Sequence, residues 1–263
     1  MTVSTKGGVG KSTLSQQVAA TYLLSRLGQA NLIELDDLNL DSAWMNDSAV
    51  KTTQQPVGDD AMRAVEAVMF GQGRNSFVLD VGGNRTAEST LSSLGEAGLL
   101  SRFDLILIPL RDEGQDCENA RRTIQLLLDA DPECRIALFL NDISLQTQSL
   151  EDPRLLEDFA EVFDLAHEFH LHLLVMPRIE RYGRSRRIGK TIFELAEEAA
   201  ELETLFADKV MRLEDAGKFD EAMQMNRMAV VVRRSRGVRK MIELVHNRLD
   251  EILMPVEGES HVA

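Results

Sequence analysis

The apolar positions of the chain fall into short continuous runs, separated by longer amphipathic or polar segments. Runs of this length are typical of strands that are buried on both faces of a parallel sheet. The segments between them have the length and periodicity of helices, so the alternation indicates a doubly wound, mostly parallel α/β domain. The predicted strands are residues 1–4, ANLIELD, SFVLDVGG, FDLILIPL, CRIALFLND and LHLLVMP.

The same pattern predicts the helices. The first begins near Ser12 and ends at Gly28, because glycine readily adopts the left-handed conformation that ends a helix. The polar residues 37–57 are predicted to be irregular. The α/β domain is expected to extend to residue 206. The other helices predicted in it are at about 58–70, 113–130 and 150–168.

A helical extension is predicted at residues 207–253, with a break at Gly217 and, as an open alternative, another at Gly237. Seven apolar residues near its end recur at helical spacing and form one stripe, which we expect to pack on the body of the protein. The final residues, 254–263, are predicted to form a disordered tail. The stripe consists of Val238, Met241, Ile242, Val245, Leu249, Ile252 and Leu253.

Composition places the chain among ordinary globular proteins, with 263 residues and a hydrophobic fraction of 44%. No apolar run approaches the roughly 18 residues that span a bilayer. The two cysteines, Cys117 and Cys134, form no C-x-x-C pair, which argues against a disulfide framework and against a thiolate metal site. A reducing cytoplasm is therefore the expected location.

The charge is unevenly distributed along the chain. The formal net charge is −14, yet residues 178–190 carry +5 and residues 227–240 carry +6, so the remaining residues sum to −25. One interpretation is two solvated helical faces. The other is a basic surface on an acidic protein, which would bind nucleic acid.

The segment VSTKGGVGKST, residues 3–13, nearly matches the phosphate-binding motif G-x-x-x-x-G-K-[ST]. Thr5 replaces the first glycine, and an additional lysine, Lys6, follows it. Glycines let the backbone N–H groups approach an anion closely, Lys11 is expected to reach the β- and γ-phosphates, and the Ser12 hydroxyl group is expected to bind Mg²⁺. The predicted nucleotide-binding residues of the loop are Lys6, Gly7, Gly8, Val9, Gly10, Lys11, Ser12 and Thr13.

The segment KGGVGKST resembles the deviant Walker loop of the ParA/MinD family of ATPases. The resemblance implies a P-loop NTPase fold, ATP and Mg²⁺ as cofactors, and a homodimer that forms on ATP binding. It also implies that Lys6 is the signature lysine, which reaches the phosphates bound to the partner chain and acts with Lys11 in catalysis. The resemblance covers about residues 1–206 and leaves residues 207–263 unmatched.

Two further segments extend this resemblance. LIELDDLNLD is similar to the second strand and switch I of the family, which implies that Asp36 positions the attacking water and supports Mg²⁺; Asp37 remains the alternative. FVLDVGGN is similar to the Walker B strand and switch II, which implies that Asp80 holds Mg²⁺ through water. Gly82 and Gly83 stand where the family often has a proline, and they suggest a more mobile switch.

The nucleotide base is expected to lie between two later segments, LFLND and LLVMPRIERYGRS. By the same resemblance, Asn141 would hydrogen-bond adenine, and Pro177 and Arg178 would form the other wall of its slot. A strand-end asparagine is also a common turn residue, so this alternative stays open.

The function expected from the resemblance is DNA segregation or cargo positioning, in plasmid or chromosome partition or as an accessory to conjugation. An adaptor protein would activate hydrolysis, and the ATP-bound dimer would bind DNA without sequence preference. The expected DNA-binding residues are Arg184, Arg186, Arg187, Arg233, Arg234 and Arg236.

Two other functions are compared with this one. A MinD-like membrane-cycling regulator needs a C-terminal amphipathic helix with a basic polar face. Here Glu243, Asp250 and Glu251 share that face, and an anionic membrane would repel them, so membrane binding is not expected. A metal-loading or electron-transfer role needs clustered cysteines, which the sequence lacks.

Overall fold

The computed structural model describes residues 1–37, 42–58, 60–73, 75–179 and 185–253. The predicted tail, 254–263, lies outside these ranges. Within them the chain is a mixed α/β structure in which every strand pairing is parallel. The strands are β1 Ala30–Leu35, β2 Val50–Gln55, β3 Val78–Val81, β4 Ile106–Leu110, β5 Ile136–Ile143 and β6 His172–Pro177.

The start of the chain joins the two halves of the sheet, whose strand orders are β2-β1-β3 and β4-β5-β6. The Thr2 amide group donates to the Leu79 carbonyl oxygen at 2.8 Å, on the β3 side. The Val3 amide group donates to the Leu107 carbonyl oxygen at 3.1 Å, on the β4 side. The predicted short strand at the start therefore occupies the centre of one continuous parallel sheet.

Helices cover both faces of the sheet, as the fold class predicts. They are α1 Lys11–Leu14, α2 Ala20–Leu27, α3 Ala61–Gly71, α4 Arg85–Glu96, α5 Gln115–Ala130, α6 Pro153–Asp158, α7 Ala160–Glu168, α8 Ile192–Glu197, α9 Ala199–Asp215 and α10 Phe219–Leu253.

Strand β4 contributes side chains to both faces of the sheet. Ile106 and Ile108 belong to a hydrophobic core with α3, α4, α5 and α7, whereas Leu107 belongs to a second core with α1, α8 and α10. Side chains alternate between the faces because the strand period is two residues.

The first predicted helix contains a π-helical turn, Ser15–Ala19, which joins α1 to α2. The helix ends at Gly28, with φ 71°, as expected. Ser15, Gln16 and Gln17 are three consecutive polar residues that are all fully buried. The wider π turn lets neighbouring residues point inward together, which a regular α-helix disfavours.

One prediction about local structure was wrong, and one open alternative is decided. Residues 50–55 form strand β2, although the polar stretch 37–57 was predicted to be irregular. β2 pairs with β1 on one side and is largely exposed, so an edge strand of this kind needs no apolar run. Helix α10 continues through Gly237, while the predicted break at Gly217 is present.

The C-terminal helix packs on the body of the protein, as expected for its apolar stripe. Ile242, Val245 and Leu249 are buried in one core with Leu14 of α1 and Phe139 of β5. The other four residues of the stripe are partly buried against the same core. Helix α9 crosses residue 206 without a break, so the proposed division into 1–206 and 207–253 stays a prediction.

Candidate functional site

The loop before α1 has the conformation that its glycines allow. Gly8 and Gly10 have φ values of 79° and 89°, in the left-handed region that favours glycine. Thr5, which replaces the first glycine of the motif, ties the loop to α5: its amide group donates to the Thr123 hydroxyl oxygen at 3.3 Å. The side chain of Lys11 is buried, and its ammonium group donates to the Lys6 carbonyl oxygen at 2.9 Å.

A cavity of about 770 Å³ opens at this loop. It lies at the carboxyl ends of the parallel strands, where ligands bind in open α/β sheets. The predicted site residues that line it are Gly7, Gly8, Gly10, Lys11, Ser12, Thr13, Asp36, Asp80 and Asn141.

Asp80, at the end of β3, is suited to hold a cation. Its side chain is buried, and its Oδ1 atom has no hydrogen-bond partner among the described residues. Burial and the nearby Glu34 carboxylate raise the pKa of Asp80 to about 7, while a hydrogen bond from Ser12 and the charge of Lys11 oppose this rise. An orphaned carboxylate oxygen beside a hydroxyl group fits the oxygen ligands that Mg²⁺ prefers.

In the described part of the chain, no three His, Cys, Asp or Glu side chains form a cluster that could hold a metal by themselves.

The structure separates the two candidate aspartates of switch I. Asp36 lines the cavity, whereas Asp37 accepts hydrogen bonds from the amide groups of Val57 and Gly58, both at 2.8 Å. Asp37 therefore stabilises the loop after β2. Asp36 lies next to Gly82, where an added Cβ would be 2.7 Å from the Asp36 Cγ atom.

Gly83 explains why a second glycine follows Asp80. A Cβ at this position would lie 3.2 Å from the Lys11 ammonium group and 3.3 Å from the Gly7 Cα atom. The next residue, Asn84, has φ 53°, and its amide group donates to the Thr5 carbonyl oxygen at 3.2 Å. The loop after β3, which is predicted to be switch II, is thus in direct contact with the predicted phosphate-binding loop.

Lys6 is directed away from the main cavity. Its ammonium group forms an ion pair with Asp116 of α5, and it lines a neighbouring cavity of about 300 Å³. Val9 and Arg178 line this second cavity as well.

The predicted adenine slot is formed in part. Asn141 lies against the loop, where a Cβ at Gly10 would be 2.2 Å from its amide nitrogen. Pro177 is buried as the last residue of β6, and Arg178 donates from Nε to the Asp142 carboxylate at 3.1 Å. Neither lines the main cavity; Ile179 does so instead.

Several residues of the cavity were missed by the sequence analysis: Glu34, Arg85, Arg111 and Asp142. Glu34 is a buried acid inside an apolar strand, and this contrast was a signal in the sequence. It accepts hydrogen bonds from Gln16 at 3.3 Å and from Ser42 at 2.7 Å. Arg111 donates to the Gly8 carbonyl oxygen at 3.2 Å and to Asp142.

The predicted DNA-binding arginines have different surroundings. The guanidinium group of Arg186 lies over the Trp44 ring, and Arg236 forms an ion pair with Glu203 at 3.1 Å. Arg184 lies outside the described residues. Arg187, Arg233 and Arg234 are exposed.

No protein-family model matches the chain, and no curated protein matches it either. Among solved structures, apo McdA from Cyanothece is similar with a TM-score of 0.50 at 16% identity, over 74% of this chain and 91% of McdA. The nucleotide-binding protein from Archaeoglobus fulgidus in complex with ADP has a TM-score of 0.47 at 12% identity, over 72% of this chain and 84% of that protein. A McdA variant from Cyanothece in complex with ATP has a TM-score of 0.49 at 12% identity, over 88% of this chain and 94% of the McdA chain.

The likeness to apo McdA shows that this chain has the same fold. The predicted fold class, a doubly wound parallel sheet with a C-terminal helical part, is confirmed. The chain combines this α/β fold with a glycine-rich loop directly before α1. Among the described helices, none is long and apolar enough to cross a membrane.

Proposed function

We propose that this protein is a Mg²⁺-dependent ATPase of the ParA type, which dimerises on ATP binding. The observation that carries the proposal is the buried Asp80 carboxylate, whose Oδ1 atom has no partner in the described structure, beside Ser12 and Lys11 in a cavity of about 770 Å³. Burying such a group is costly unless a cation or a donor compensates it. A nucleotide with its metal ion supplies that compensation.

Each residue has a distinct task in this proposal. The glycine-rich loop and the start of α1 bind the phosphates through backbone N–H groups, and Lys11 neutralises the β- and γ-phosphates. Ser12 and Asp80 would hold Mg²⁺, with Asp36 in support; the ion would neutralise developing charge on the phosphates. Asp36 orients the attacking water, and Asn141 binds the base.

Dimerisation would bring Lys6 to the phosphates of the partner chain. The Lys6 ammonium group would exchange Asp116 for a phosphate, so catalysis would depend on association. The resting ion pair supports this proposal because it keeps the charge at the edge of the site until a second chain arrives.

The proposed cellular role is DNA segregation or cargo positioning, including a conjugation accessory role, with an adaptor protein that stimulates hydrolysis. Exposed Arg187, Arg233 and Arg234 support contact with DNA phosphates. The membrane-cycling alternative is disfavoured, because the apolar stripe that would enter a membrane is packed into the core.

The test is ATP hydrolysis and ATP-dependent dimerisation of the purified chain. Lys11→Ala is expected to abolish nucleotide binding, whereas Lys6→Ala should retain binding and lose turnover. Lys51→Ala, on the exposed edge strand β2, is the matched control and should behave as the parent protein. Equal hydrolysis by the Lys6→Ala variant and the parent protein would refute the assignment of Lys6 as the signature lysine. Nucleotide binding by the Lys11→Ala variant would refute the proposed nucleotide site.

A further inference from the structure

Arg85 is the first residue of α4, directly after the switch II loop. Its side chain is exposed and lines the main cavity together with Lys11, Asp36 and Asp80. Across the described ranges it makes no hydrogen bond or ion pair. Nothing in the sequence motifs singled it out.

Contacts of the preceding loop place Arg85 at the phosphate end of the cavity. Asn84 donates from its amide group to the Thr5 carbonyl oxygen at 3.2 Å, and Gly83 lies against Gly7 and the Lys11 ammonium group. Asn141 and Asp142 near the end of β5, and Ile179 after β6, line the same cavity. The loop therefore positions the start of α4 beside the phosphate-binding glycines.

The other cations near the site are already occupied. Lys11 donates to the Lys6 carbonyl oxygen, and Lys6 pairs with Asp116. Arg111 pairs with Asp142 and donates to the Gly8 carbonyl oxygen. Arg85 alone among these four has no such partner in the described structure, so its exposed guanidinium group is available to an anionic ligand in the cavity.

We propose that Arg85 is a catalytic residue that binds the terminal phosphate of the nucleotide held by its own chain. This inference rests on the proposed ATPase function and goes beyond the signature lysine. The guanidinium group donates hydrogen bonds to the γ-phosphate oxygens and stabilises the charge that builds on them in the transition state.

Hydrolysis requires no proton transfer to or from Arg85. The water oxygen forms a bond to the γ-phosphorus atom, and the bond from phosphorus to the bridging oxygen breaks, with its electron pair left on ADP. Both protons of the water end on inorganic phosphate, one on the attacking oxygen atom and one on another phosphate oxygen atom. Arg85 stays protonated throughout, since guanidinium groups are not deprotonated in proteins.

The first test compares Arg85→Ala, Arg85→Gln and Arg85→Lys. We expect kcat to fall about 10²-fold or more in the alanine and glutamine variants, the range seen for lost transition-state donors. ADP affinity should stay within about twofold, because ADP lacks the terminal phosphate. The lysine variant should recover part of the rate, since it keeps the charge but not the planar fork. Arg63→Ala, an exposed arginine on α3, is the matched control.

The second test asks which chain supplies Arg85. In a mixture of Lys6→Ala and Arg85→Ala proteins, each mixed dimer has one site with its own Arg85 and the partner's Lys6. Such a mixture should regain roughly a quarter of the parent rate if the chains pair at random. If both side chains acted across the dimer, or both within one chain, no mixed site would be complete.

The outcomes separate this inference from the proposed function. Failure of the parent protein to bind or hydrolyse ATP would refute the ATPase itself. A normal kcat for Arg85→Ala, or a loss of ADP affinity equal to the loss of ATP affinity, would overturn the role of Arg85 alone. Two variants that are each inactive and fail to complement would overturn the arrangement in which Arg85 acts within its own chain while Lys6 acts across the dimer.

Discussion

The ammonium group of Lys6 forms an ion pair with the carboxylate group of Asp116 in the same chain. The Asp116 side chain is 5% exposed, and its second oxygen accepts a hydrogen bond from the Arg111 amide group at 2.9 Å. The pair joins residues 110 positions apart in the sequence. The pair thus binds the Lys6 ammonium group, which we propose acts across the dimer, to its own chain.

Asp116→Asn should release this charge and favour the dimer. The amide oxygen of asparagine can still accept from Arg111, while the attraction for Lys6 is lost. Because a partly exposed ion pair contributes about 1 kcal/mol or less and each of the two chains gives up one pair, we expect the Mg-ATP-dependent dimer to tighten by up to about thirtyfold. Sedimentation over a concentration series would measure it.

The control for this variant is Glu118→Gln, an exposed acid in the same first turn of α5. It removes equal charge from the helix N-terminus without touching Lys6. A dimer affinity that is unchanged in Asp116→Asn, or equally changed in both variants, would contradict the restraining role of the ion pair.

Gly82 should be intolerant of a side chain because of Asp36. A Cβ at Gly82 would lie 2.7 Å from the Asp36 Cγ atom and 3.0 Å from the Thr86 Cγ2 atom. Gly82→Ala is therefore expected to displace the Asp36 carboxylate, which we propose orients the attacking water. Turnover should fall at least about tenfold, with nucleotide affinity largely kept.

Asp36→Ala should give the same kinetic result and accumulate an ATP-bound dimer, visible by size exclusion. Gly71→Ala is the control for Gly82→Ala, because a Cβ at Gly71 would have open space around it and its φ lies outside the left-handed region. An Asp36→Ala protein that binds ATP and stays monomeric would contradict the switch I assignment.

His246 of α10 should make stability depend on pH. It is fully buried, with Nε2 3.1 Å from the Val18 carbonyl oxygen in the π turn and 3.3 Å from the Thr21 hydroxyl oxygen. Burial lowers the pKa of His246 to about 4, and the charge of Arg26 adds to this, while the hydrogen bond to Val18 and the carboxylates of Asp250 and Glu243 oppose it.

The sign of the effect follows from this lowered pKa. Between about pH 6.5 and pH 4 the unfolded chain binds a proton at His246 and the folded chain does not, so stability falls as the pH falls. Asp80 acts in the opposite direction, because its pKa is raised to about 7 in the folded chain. A comparison with the His246→Gln variant isolates the contribution of His246 to the pH dependence of stability.

The stability advantage of the parent over His246→Gln should shrink by on the order of 2 kcal/mol from pH 7.5 to pH 4.5. Urea unfolding at the two pH values measures it. An advantage that is constant across this range would mean that His246 does not titrate as its burial requires.

DNA binding by the ATP form should depend steeply on salt. Each phosphate neutralised contributes a log–log slope of about −0.9. Replacing Arg233, Arg234 and Arg236 together with alanine should flatten the slope and leave ATP binding intact. Arg236 should contribute less than Arg233, because Arg236 already pairs with Glu203.

Filter binding at two salt concentrations, with and without ATP, checks this prediction. Arg154→Ala, which lies outside the two basic segments, is the control. If the ATP form shows no salt-sensitive retention of DNA, a protein scaffold replaces DNA as the expected partner.

The sequence by itself determined the fold class and the glycine-rich loop, because both depend on local sequence patterns. Apolar runs of strand length, the glycine spacing before Lys11 and the stripe that begins at Val238 each depend on residues that are close along the chain. The stripe predicted burial of Ile242 and Val245, and the structure places both in the core.

The tertiary structure alone decided which side chains share the site. Glu34, Arg85 and Arg111 follow no motif; they converge because parallel strands end at one edge of the sheet. Strand β2 was missed because the register with β1, rather than apolar side chains, holds a polar edge strand. The pairing of Lys6 with Asp116 likewise depends on the path of the chain between them, since electrostatic contact requires proximity in space and not in sequence.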